Sequence, residues 1–136
     1  MEEAEDMVSN TVSINLCSIF LCGNSHSHPV DNHGLSGTIP QEIGYLSLLE
    51  HLILKNNNEL VGSLPPTIGN LQVLRQVGVY NNNIEGIIPE ELFQVSSLKF
   101  INVQNNDLSG TLSKKIESLN RLETLVVVNN KVRKLF

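Results

Sequence analysis

The chain has 136 residues and a net charge of −5, with 40% hydrophobic residues but only 4% aromatics and no Trp. That is one domain's length with a mostly aliphatic apolar content, which excludes a disordered polyelectrolyte. The charge is uneven: residues 1–54 hold seven acids and no Lys or Arg, while residues 55–136 hold nine bases and seven acids.

Residues 1–10 are acidic and read as a disordered tail. Residues 11–34 read as a degenerate first repeat followed by a His-containing loop. The stretch from Val12 to Cys22 is apolar, but acids precede it where a secretory signal carries a basic region. It is also too short and too interrupted to span a bilayer. Leu16, Ile19, Leu21 and Asn24 instead match the spacing of the repeats downstream, which puts a strand near Ser18–Cys22. Cys17, Cys22, His26 and His28 spell C-x4-C-x3-H-x-H, near the spacing of zinc ligands. With a strand over residues 18–22, Cys22 faces out and Cys17 lies in the preceding turn, so the four do not converge. No metal or other cofactor is expected.

From residue 35 to 136 one design recurs about four times. Its clearest copy runs from Val77 to Pro89: apolar residues two apart, an Asn triplet, then Ile84, Gly86, Ile88 and Pro89. Alternation marks a strand, and Asn stops it by bonding its own backbone and tolerating turn geometry. The strand pairs are Leu52/Leu54, Val77/Val79, Ile101/Val103 and Leu125/Val127, which predicts parallel strands near 51–55, 76–80, 100–104 and 124–128. Three residues past each pair stand Asn57, Asn82, Asn106 and Asn130. Gly37, Gly62, Gly86 and Gly110 follow at spacings of 25, 24 and 24 residues; Pro40, Pro65, Pro89 and Ser113 lie three further on. The one extra residue falls near Asn58 and Glu59, in a turn, where an insertion costs little.

A single copy cannot bury its hydrophobic edge, so the copies must stack. The four Asn side chains are expected to point inward and bond turn amides that lack ladder partners. The glycines allow a special φ or a close backbone approach. Residues alternating with the L-x-L pairs face away from the core. They are His51, Ile53, Lys55, Gln76, Gly78, Tyr80, Phe100, Asn102, Gln104, Thr124, Val126 and Val128. This mixture of aromatic, apolar and amide side chains suits a recognition surface. Val126 and Val128 leave an apolar patch near the C-terminus, the mark of a missing repeat or of self-association.

Signals for catalysis are absent. No glycine-rich phosphate loop occurs, and no nucleophile–base set has reason to meet. Glu90-Glu91 follows Pro89, where acids suit the start of a helical turn. The basic C-terminal residues Lys114, Lys115, Arg121, Lys131, Arg133 and Lys134 read as a solvated face. Without an aromatic stacking platform beside them, no nucleic-acid partner is expected.

The full pattern, L-x-x-L-x-x-L-x-L-x-x-N-x-L-x-G-x-I-P, resembles the plant-type leucine-rich repeat over roughly residues 32–132. The resemblance implies a right-handed α/β solenoid, a horseshoe with a parallel β-sheet on the concave face. Short 3-10 or irregular segments would cover the convex face. It further implies a non-enzymatic protein- or peptide-binding scaffold, part of a receptor-like recognition or signalling protein at the cell surface. An inhibitor of a secreted cell-wall hydrolase, like the polygalacturonase inhibitors, is the alternative, as is a truncated product without a separate function. Paired cysteines of plant-type N-terminal caps resemble Cys17 and Cys22, though the Trp that usually separates them is missing, so the bridge stays open. None of the seventeen Asn residues is followed at +2 by Ser or Thr, so no N-glycosylation site is spelled. The last residues depart from the repeat spelling, which suggests a piece of a longer array or a small intracellular member of the family.

Overall fold

The computed structural model describes residues 36–55 and 59–134. The acidic tail, the degenerate first repeat with its cysteines and histidines, and Asn57 lie outside the described residues.

Each L-x-L pair forms a short parallel strand. The strands β2 (His51–Ile53), β4 (Gln76–Gly78), β6 (Phe100–Asn102) and β9 (Thr124–Val126) pair side by side in that order. The register is strict: His51, Gln76, Phe100 and Thr124 lie opposite one another, as do Ile53, Gly78, Asn102 and Val126. The strands end two residues earlier than the alternation predicts. Backbone bonds nevertheless continue beyond them, from Leu54 N–H to Gly78 O (2.7 Å), Val79 N–H to Asn102 O (3.0 Å) and Val103 N–H to Val126 O (2.9 Å). The pleat stops because Asn81, Asn105 and Asn129 take φ of 61°, 57° and 56° and turn the chain.

The chain then enters short two-stranded parallel ladders, separate from one another. They pair β1 (Ser36–Thr38) with β3 (Glu59–Val61), β5 (Glu85–Ile87) with β7 (Asp107–Ser109), and β8 (Thr111–Leu112) with β10 (Arg133–Lys134). Gly62 shows why this position excludes other residues. Its φ is +75°, and a Cβ there would stand 2.7 Å from Thr38 Cγ2 of the preceding copy. Positive φ and close approach therefore act together.

Proline at the end of these ladders starts a 3-10 helix in each copy: Gln41–Tyr45, Pro66–Asn70, Glu90–Gln94 and, after Ser113, Lys114–Ser118. Where Ser113 replaces the proline, its Oγ accepts from Lys115 N–H at 3.2 Å and supplies the cap instead. Crossovers from sheet to 3-10 helix and back make a right-handed leucine-rich repeat solenoid, with the four-stranded sheet on its concave face. The core between the faces is aliphatic apart from Phe93. Gly44 and Gly69 occupy the fourth position of the first two 3-10 helices. A Cβ on either would press within 2.8 Å of the next copy, on Thr67 or Glu91. Phe93 holds that position in the third and is buried.

Candidate ligand-binding face

The burial pattern separates inward from outward residues on the sheet. Leu52, Leu54, Val77, Val79, Ile101 and Val103 are fully buried, while the positions alternating with them keep solvent contact, except Gly78. The register brings the predicted face together as three columns across four strands. His51, Gln76, Phe100 and Thr124 make the first, with His51 Nδ1 and Gln76 Oε1 3.2 Å apart. Ile53, Gly78, Asn102 and Val126 make the second, where Asn102 Oδ1 accepts from Gln104 N–H at 3.1 Å. Lys55, Tyr80, Gln104 and Val128 follow as the third. Phe100 is 39% exposed and Val128 56%, the most open apolar groups here. No carboxylate stands in any of the three columns.

The inward Asn residues frame one edge. Asn106 Nδ2 donates to Val79 O (2.8 Å), Val103 O (3.1 Å) and Gln104 O (3.2 Å), and its Oδ1 accepts from Ile84 N–H at 3.0 Å. Asn130 does the same with Val103, Val127 and Val128 carbonyls and Leu108 N–H. Asn82 donates to Leu54, Val79 and Tyr80 carbonyls, but its buried Oδ1 has no hydrogen-bond partner among the described residues. The extra residue near Asn58 precedes Leu60, whose N–H is the equivalent of those that Asn106 and Asn130 accept from.

A second Asn row lies outside the first and was not anticipated. Asn129 Nδ2 donates to Asn105 Oδ1 (2.6 Å), and Asn105 Nδ2 donates to Asn81 Oδ1 (2.5 Å). The signal was in plain view, since each inward Asn is preceded by another Asn at 81, 105 and 129. That outer member takes the left-handed turn, which Asn tolerates better than other side chains.

Charge gathers elsewhere. Lys115 Nζ lies 2.7 Å from Glu90 Oε2, and Ser113 Oγ donates to Glu90 Oε1 at 3.1 Å. The hydrogen bond from Lys115, then that from Ser113, holds the Glu90 carboxyl below the usual carboxylate range. Glu90 in turn raises the Lys115 ammonium, and Asp107, 2.8 Å from Lys131, raises Lys131. Glu90 is thus tied to the next repeat as a structural group, and it opens the 3-10 helix with Glu91 beside it in the first turn. On the edge before the strands, Arg75 sits 3.8 Å from Glu50, beside a shallow recess that Gln72, Ser97 and Arg121 also line. A second recess lies over the two-stranded ladders, between Leu64, Pro66, Ile87 and Glu90. Neither is lined by any residue of the three columns, so the concave face is an open surface rather than a pocket. Among the described residues no cluster of His, Cys, Asp or Glu could hold a metal, and no helix is long and apolar enough to cross a membrane.

Comparison with known proteins agrees with this architecture. A family model for the leucine-rich repeat matches residues 48–71. The leucine-rich repeat ectodomain of the receptor kinase SOBIR1 from Arabidopsis thaliana is 35% identical, with a TM-score of 0.71 over 76% of this chain. The ectodomain of the plant membrane receptor kinase GASSHO1/SCHENGEN3 from Arabidopsis thaliana, in complex with CASPARIAN STRIP INTEGRITY FACTOR 2, is 33% identical, with a TM-score of 0.69 over 71% of this chain. The Arabidopsis receptor kinase HAESA, in complex with the peptide hormone IDA and the co-receptor SERK1, is 30% identical, with a TM-score of 0.67 over 71%. The chain spans 55%, 12% and 16% of those three proteins respectively. No curated protein matches it.

Proposed function

We infer that this chain, a leucine-rich repeat protein of the plant type, is a non-enzymatic scaffold that binds a peptide or protein segment on its concave sheet and serves receptor-like recognition. The observation that carries the reading is the three-column face itself. Strict register sets Tyr80, Phe100 and Ile53 among Gln76, Asn102 and Gln104 on a rigid backbone. Aromatic anchors ringed by amides suit a chain molecule that needs apolar contact and backbone hydrogen bonds. The lack of an enclosed cavity here speaks against a small-molecule site, which is concave and mostly buried. HAESA, whose structure holds a peptide hormone, supports the same reading by likeness.

The test is partner recovery by the full chain and by a Tyr80→Ala/Phe100→Ala double variant with an unchanged melting temperature. Loss of at least one partner is expected. Equal recovery of every partner would sink the reading.

A further inference from the structure

Gly78 is the only glycine in the three columns, and it is buried although it stands on the outward side of the sheet. Its neighbours cover it. A Cβ at this position would lie 3.2 Å from Ile53 Cδ1 and 3.5 and 3.8 Å from Tyr80 Cε1 and Cδ1. Ile53 is its register partner on β2, and Tyr80 follows two residues later on the same side of the chain. The two side chains therefore close from two sides on the bare backbone of β4. The backbone does not require the glycine, because Gly78 is not among the positive-φ residues. The glycine is explained by what it lets its neighbours do.

We propose that Gly78 is a specificity-determining residue: by leaving its place empty it joins Ile53 and Tyr80 into a seat for one bulky apolar side chain of an extended peptide. This rests on the peptide-binding reading above. Gln76, Asn102 and Gln104 border the seat with donors and acceptors that fit a peptide backbone. The three columns hold no carboxylate, so they offer no counter-charge to a basic residue flanking the apolar anchor.

The experiment selects a phage-displayed library of random linear peptides on the full chain, then measures binding of the selected peptides to variants. The expected consensus has one Leu, Ile, Phe or Tyr at a fixed place and is poor in Lys and Arg. A Cβ at residue 78 would stand 3.2 Å from Ile53 Cδ1 and occupy the space between it and Tyr80, so Gly78→Ala is expected to weaken binding at least tenfold while melting no lower than the parent. Ile53→Thr, which keeps the strand and removes the apolar tip, is expected to weaken the same peptides and covers the case in which Gly78→Ala fails to fold. If peptides are enriched and lose affinity in Tyr80→Ala/Phe100→Ala but bind Gly78→Ala and Ile53→Thr as before, this proposal is overturned and the concave-face reading stands. A consensus that is basic or lacks an apolar anchor overturns it likewise. If no peptide is enriched at all, the peptide-binding reading falls, and this inference with it.

Discussion

Val77 and Val79 are fully buried, whereas Leu125 and Val127, at the same two positions two copies later, remain partly exposed. The apolar pattern is the same. What differs is company: β4 is flanked by β2 and β6, while β9 has only β6 beside it among the described residues. The upstream leucines repeat the contrast, with Leu71 and Leu74 fully buried but Leu122 only packed against the core. Polar ties also hold the last copy, namely Lys115 to Glu90, Lys131 to Asp107 and the Asn130 ladder. In a stacked fold, burial is a property of a pair of neighbours, so identical side chains stabilise unequally.

The largest expected effect falls where the two regions join. Phe93 is the sole aromatic of the core among the described residues and lies buried in the third 3-10 helix, next to the last copy. Phe93→Ala should lower stability by about 3–5 kcal/mol in chemical denaturation. A loss below 1 kcal/mol would mean the last copy is not packed on the third through this ring. Next comes the direct comparison of equivalent leucines. Leu74→Ala should cost about 2–5 kcal/mol and Leu122→Ala about half of that or less, because only the first leaves an enclosed cavity. Equal losses would erase the contrast drawn above.

The Asn ladder gives a finer comparison. Asn106→Ala strands three carbonyls and the Ile84 N–H and should cost about 1–3 kcal/mol. Asn82→Ala should fall at the low end of the same range, since its Oδ1 has no partner among the described residues to lose. If Asn82→Ala melts like the parent, the inward ladder does not support that copy. The smallest effect is the pH response of the last copy. Glu90 has a folded pKa below its unfolded one, so its stabilisation is present above the unfolded value and fades as pH falls through the folded one. Lys115 is raised, so its share is present below the ordinary lysine range and fades as pH rises through the folded value. Both groups are exposed, and the change is correspondingly small. Hydrogen exchange of residues 111–134 should slow slightly between these limits in the parent but not in Glu90→Gln. An identical pH profile in both would remove the pair from the account.

Much of the candidate face was legible in advance. Alternation about Leu52/Leu54 and its equivalents fixed which side chains point outward, because a strand admits only two directions. The inward Asn were readable from their fixed phase. Sequence reasoning overlooked the outer row, Asn81, Asn105 and Asn129. Their role depends on φ, which no spacing states, and an Asn-Asn doublet leaves open which member turns the chain. The extra residue near Asn58 was also visible, but spacing does not state that the Oδ1 of Asn82 has no hydrogen-bond partner among the described residues.

By itself, then, the sequence determined the repeat length, the parallel pairing and the inward and outward positions. All follow from local periodicity, and a solenoid repeats local contacts. Only the tertiary structure decided how deeply each copy is buried, where Phe93 takes the place of a glycine, and that Ile53 and Tyr80 both close on Gly78. Those outcomes depend on distances between copies 24 or 25 residues apart, set by packing rather than by any pattern within one copy.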